Sequence, residues 1–213
     1  MAEQTHSFAS PGPAGLGALA VATFGFSAVF LGKVSLGGLP LLAAWLIGGG
    51  IVQYTTAVIE LKDHNITGGN VFLFFSAFFM FGAALSVLAK FFMIYFEIPH
   101  SSYVEGWCWL AGAGFLTIVT PAYSKGPKTL FGIVVLIDLA LWLIAGLDLG
   151  LLGAQFKTFV AVFLMTSGVL ALYTAGAVVN NAAFGRTVLP LSAPEPSGNK
   201  SHLAKSSTAV QEN

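Results

Sequence analysis

The sequence predicts an all-α membrane protein of six transmembrane helices, and three observations predict it. Hydrophobic residues make up 56% of the 213-residue chain and charged residues 8%, against about 25% charged in an average soluble domain. So few charges cannot cover a surface facing water. Six separate apolar runs approach the roughly 20 residues that a bilayer-spanning helix needs. The connections between the runs are short, which leaves no room for a soluble domain.

The first run covers about 14–31 and ends at Gly32-Lys33. It is preceded by Ser10-Pro11-Gly12-Pro13-Ala14-Gly15-Leu16. Proline costs little just inside a helix start, where the first N–H groups have no intrahelical partner, and Ser10 is a suitable N-cap. The second run, 39–59, contains Gly48-Gly49-Gly50 and ends in Glu60-Leu61-Lys62-Asp63-His64. The third, 71–89, is rich in phenylalanine, and Lys90 interrupts an apolar stretch that resumes as far as Phe96; Asn70, just ahead of the run, is placed as a helix cap. The fourth, 106–119, is closed by Pro121 and is short for a span, so it is expected to start earlier or to sit where the bilayer thins. The fifth, 130–147, contains Asp138, and Gly146 and Gly150 form a GxxxG pair suited to close helix packing. The sixth covers 159–179.

Three segments follow: an N-terminal tail (1–9), a transmembrane domain (10–191) and a C-terminal tail (192–213) too polar to fold. Ser201, Ser206 and Ser207 make that tail a possible phosphorylation target. The first nine residues lack the positive region of a cleavable signal peptide. Six crossings put both termini on one side, with Lys62, Lys125, Lys128, Arg186, Lys200 and Lys205. Lys33, Lys90 and Lys157 fall on the other, a bias that places both termini in the cytoplasm.

Net charge is zero, so there is no basic footprint for nucleic acid. Cys108 is the one cysteine and allows no internal disulfide; it reads as a packing residue. Four scattered histidines give no metal or haem site. No H-E-x-x-H, P-loop or G-x-S-x-G occurs, so no enzyme and no cofactor are expected.

Polar groups inside a membrane are functional candidates because they are costly there. Gln53 can donate to a carboxylate or accept from a protonated acid; its structural alternative is interhelical bonding. Glu60 lies two turns on, on the same face, either ion-paired with Lys62 or the tail, or relaying protons. Asp138 either faces an aqueous path or meets a partner such as Lys90 or a hydroxyl.

Three stretches together resemble the acetate/succinate transporter family. Ser10 to Leu16 resembles its N-P-A-P-L-G-L motif, and Gly49-Gly50-Ile51-Val52-Gln53, Glu60 and Gly69-Asn70 resemble its G-G-x-x-Q…E…G-N pattern. Tyr173 with Phe184-Gly185-Arg186-Thr187-Val188-Leu189-Pro190 resembles its last helix and exit. The resemblance implies six helices around a pore in each protomer, a homohexameric ring in the plasma membrane, and passage of acetate or related small monocarboxylates, and of succinate as well, with protons or through a channel. It puts Ser10, Pro11, Pro13, Gly15, Gln53, Glu60, Asn70 and Tyr173 on the substrate path. It puts Leu19, Met80 and Ile137 at the constriction, in place of the family's Phe, Tyr and Leu, and so implies an aliphatic and thioether gate. Asp138, beside that constriction, becomes the candidate for proton coupling. The N-terminal end of the first helix is expected to receive the carboxylate through its free N–H groups. The alternatives are ammonia or ammonium export, and a non-transporting membrane sensor or assembly protein.

Overall fold

A computed structural model describes residues 8–192. The tail serines and most of both expected tails lie outside the described residues. Each predicted run is a helix: α1 Gly12–Phe30, α2 Leu39–Lys62, α3 Ile66–Tyr95, α4 Tyr103–Tyr123, α5 Lys128–Asp148 and α6 Lys157–Phe184. The described residues contain no strand. All but α4 are long and apolar enough to cross a bilayer, and the chain is an integral membrane protein. α4 has the length, 21 residues, but Glu105, Gly106, Gly112 and Gly114 dilute its apolar character.

Two boundaries differ from expectation for identifiable reasons. α3 starts at Ile66 because Asn65, not Asn70, caps it, accepting from the Gly68 N–H at 3.1 Å. Asn70 lies a turn inside the helix and donates to the Ile66 carbonyl at 2.8 Å. Lys90 does not interrupt α3, which continues to Tyr95, because an ion pair with Glu105 of α4 takes up its charge. The short fourth run does start earlier, at Tyr103, and it passes Pro121 in its last turn.

Four helices end in the same way. After α2 the chain turns left-handed at His64 (φ 62°). The Asn65 N–H then bonds the Glu60 carbonyl at 2.8 Å and the His64 N–H bonds the Leu61 carbonyl at 3.1 Å, which is a Schellman closure. Gly32, Glu97 and Gly150 take the same role after α1, α3 and α5. Gly150 is therefore a helix terminator and not half of a packing motif. Its supposed partner Gly146 instead leaves room for Leu152, a side-chain carbon of which lies 2.7 Å from where a Cβ would stand.

Each helix packs on its neighbours in sequence, and α1 packs on α6 and closes a ring. Glycines set the closest approaches, as small residues do between membrane helices. A Cβ on Gly168 of α6 would stand 2.5 Å from Thr23 Oγ1 and 2.7 Å from the Phe24 ring of α1. A Cβ on Gly15 would stand 2.7 Å from the Phe72 ring of α3 and 2.9 Å from Thr56 of α2. The α3–α4 seam is the sparsest in the ring. It is held by the stacked rings of Phe74 and Phe115 (centroids 4.3 Å apart), by Phe79 against Trp109, and by the Lys90–Glu105 pair, to which Ser86 also donates. The outside of the ring is apolar, with Ile118 81% and Trp45 68% exposed, as a lipid-facing surface requires.

Candidate functional site: two vestibules in one lumen

Two cavities among the described residues lie inside the ring, one toward each end, and a third of about 360 Å³ lies at the α3–α4 seam beside both. The first has a volume of about 230 Å³ and opens where α1 and α3 begin and α2, α4 and α6 end. Ser10, Glu60 and Asn65 stand at its mouth, Gln53 on its wall, and Leu19, Phe75, Leu116 and Ile137 at its inner end. Leu19 lies about 10 Å along α1 from Gly12.

The mouth is a closed hydrogen-bond cluster. The Schellman turn brings Asn65 back over Glu60, and Asn65 Nδ2 donates to Glu60 Oε2. Ser10 Oγ donates to Glu60 Oε1 at 3.3 Å and accepts from the Gly12 N–H, also at 3.3 Å. Glu60 is 8% exposed, and these partners are neutral. Lys62, the expected ion-pair partner, lies over the Phe8 ring at 5.0 Å instead.

Ser10 is not the N-cap: Pro11 is. The first-turn donors are also not free. Gly12 N–H is taken by Ser10, and the Ala14 and Gly15 N–H groups bond the Pro11 carbonyl at 3.0 and 3.3 Å. The place expected for a solute carboxylate at the start of α1 is held by the carboxylate of Glu60.

Gln53 is 1% exposed. Its Nε2 donates to the Gly15 carbonyl at 3.4 Å, at the weak end of hydrogen-bond geometry. Its Oε1 is buried with no hydrogen-bond partner among the described residues. A buried, unpaired acceptor on a cavity wall has room for a donor from water or from a solute.

The second cavity, of about 270 Å³, opens at the opposite end. Lys90, Glu105, Asp148 and Lys157 line it, with Trp109 and Phe30 among the apolar groups between them. Two helical turns of α1, from Leu19 to Phe26, separate the two cavities. Thr23, Met80, Leu141 and Leu164 are each no more than 2% exposed. The π-helical segment Phe75–Gly82 of α3 crosses this level, and wide turns of this type mark functional positions in many helices.

No family model matches the sequence and no curated protein does. A solved structure of the bacterial acetate channel SatP matches with a TM-score of 0.74, at 24% identity, over 86% of this chain and 99% of that one. The chain has the fold of SatP.

Within the SatP fold, the residues of the three sequence motifs part company. Ser10, Pro13, Gln53 and Glu60 meet at the first vestibule; the Gly15 carbonyl accepts from Gln53, and the Pro11 carbonyl accepts from Thr56. Leu19 and Ile137 stand at its inner end. Met80, on α3, is fully buried but does not line that wall; it packs against α2, where its Sδ lies 3.2 Å from the Cβ position of Gly49. The inner end is also not wholly aliphatic, because Phe75 lines it. Asn70 is exposed, away from the cavity. Tyr173 bonds the Pro190 carbonyl at 2.7 Å and fastens the segment after α6, so the next residue, Thr174, is the one on the wall. Asp138 lies outside both vestibules, where Thr117 Oγ1 donates to its carboxylate at 2.9 Å and itself accepts from Trp142 Nε1 at 3.0 Å. Its partner is a hydroxyl, not Lys90. Cys108 is exposed rather than packed.

The sequence reading missed Asn65, Thr174 and the charged second vestibule. Asn65 had a signal, since Asn followed by Gly68-Gly69 near an acidic helix end suits a cap. Glu105 and Asp148 had one too: each is an acid at the end of an apolar run.

Proposed function

We propose that the chain belongs to the acetate/succinate transporter family and carries acetate, or a related small monocarboxylate, across a membrane through the lumen of its own helix ring. The observation that carries this reading is Gln53 Oε1, buried and unpaired in the first vestibule. The fold shared with an acetate channel supports it, as do the three motifs. An anion entering the apolar level of Leu19, Phe75, Leu116 and Ile137 would lose its hydration for nothing, whereas the neutral acid crosses at far lower cost. The O–H of that neutral acid is the donor that Gln53 Oε1 lacks. Glu60 stands at the mouth, where Ser10 and Asn65 donate to its carboxylate. On this reading transport is coupled to protons. Residues 10–191 form the transporter domain, all six helices span the membrane, and both termini are cytoplasmic. The ring assembles as a homohexamer in the plasma membrane.

Purified chain in lipid vesicles tests the proposal with a panel of labelled acetate, propionate and methylammonium. Uptake of the two acids, faster with an inward proton gradient, is the expected result. Methylammonium uptake indifferent to acetate would favour ammonia or ammonium export instead.

A further inference from the structure

The second vestibule carries an unusual balance of charge. Lys90 and Lys157 are its two cations, Glu105 and Asp148 its two carboxylates. They come from four different helices: α3, α6, α4 and α5. Lys90 and Glu105 neutralise each other, in the one ion pair among the described residues. Asp148 and Lys157 face the same cavity without such a contact, and Asp148 is within electrostatic reach of the other three charges. Around them the wall is apolar, with Phe26, Phe30, Trp109 and Ile144, and charges act more strongly beside such a wall than in open water.

We infer that this vestibule discriminates between one carboxylate and two: Lys157 receives the carboxylate of a monocarboxylate, and Asp148 repels the second carboxylate of a dicarboxylate. This rests on the transport reading above. A small monocarboxylate brings one negative charge, which Lys157 matches, and an alkyl group that the apolar wall accepts. A dicarboxylate such as succinate brings a second. Lys90 is the only other cation on this wall, and Glu105 already holds it. The second carboxylate therefore meets Asp148 or must displace Glu105, and like charges placed side by side act against the wrong partner. The first vestibule offers a dicarboxylate no relief, because its one charged side chain is Glu60. Asp148 thus determines specificity and Lys157 binds. Neither was expected from the motifs, which end before or begin after them.

The experiment measures uptake of labelled acetate and labelled succinate into vesicles by the full chain and by Asp148→Asn, Lys157→Gln and Lys157→Arg. Asparagine keeps the shape of aspartate and removes its charge. The ratio of succinate to acetate uptake should rise about fivefold or more in Asp148→Asn. Lys157→Gln should raise the KM for acetate severalfold, and Lys157→Arg should restore it. An unchanged ratio in Asp148→Asn, in a preparation where the wild type carries acetate, overturns the inference and leaves the transport reading standing. Absence of acetate uptake by folded wild-type protein overturns the transport reading itself. Calorimetric titration of the purified chain with acetate then decides the site alone: binding lost in Lys157→Gln and kept in Lys157→Arg supports it, and no binding sinks it.

Discussion

Replacing Gln53 by methionine separates what this side chain does for the fold from what it does for a solute. Methionine is close to glutamine in length and flexibility and has no strong donor or acceptor. The substitution removes one long hydrogen bond, the 3.4 Å contact to the Gly15 carbonyl, worth at most about 1 kcal/mol. It also removes an acceptor that is buried and unpaired, a group whose desolvation costs about 1–3 kcal/mol. The protein should therefore be between unchanged and about 3 kcal/mol more stable, which for a chain of this size shifts the melting point upward by about 0–12 °C. Transport should move the other way. Losing one hydrogen bond to the solute in the lumen costs about 0.5–1.5 kcal/mol, a fall in acetate flux of about two- to tenfold. Thermal unfolding in detergent and acetate uptake into vesicles, measured on the same preparation, give both numbers. A melting point several degrees lower with flux unchanged would refute the reasoning and make Gln53 a bond between α1 and α2.

Other substitutions probe other parts of the account. His64→Gly relieves a left-handed non-glycine residue and should stabilise the protein by about 0.5–1 kcal/mol, seen as a higher melting point. Met80→Tyr should overpack against Gly49 and destabilise by about 1–3 kcal/mol, whereas Leu19→Phe, on the lumen wall, should change the ratio of propionate to acetate uptake with a smaller loss of stability. Asp138→Asn should leave the pH profile of acetate uptake unchanged, because Asp138 bonds Thr117 outside both vestibules; a flattened profile would return it to the proton path.

The helices were legible because their signal is crude: long apolar runs survive any uncertainty about packing, and all six runs became helices. Their ends were less legible. The GxxxG spacing at Gly146 and Gly150 read as a packing face because sequence does not reveal that the helix stops at Asp148 and that Gly150 turns left-handed. In the first vestibule, Gln53 and Glu60 stood out because they are polar groups in an apolar chain, and Ser10 because it opens the proline-rich entry stretch. Asn70 and Tyr173 were misplaced through helix phase. A residue beside the right one points about 100° away, so Thr174 faces the cavity and Tyr173 does not. Asp138 attracted notice as a charge inside a span, yet its neighbour Ile137 holds the lumen face. The second vestibule escaped because its four charges are far apart in sequence and meet only when the ring closes.

The central claim is that a small carboxylic acid crosses inside one helix ring, between the two vestibules. Uptake of labelled acetate into vesicles by Leu19→Trp tests it most directly, set beside the wild type at equal content of folded protein. Leu19 stands at the inner end of the first vestibule, and an indole there fills the level through which the solute must pass. The account predicts strong uptake by the wild type and uptake near that of empty vesicles by Leu19→Trp. Equal uptake by the two proteins, or none by the wild type, would contradict it.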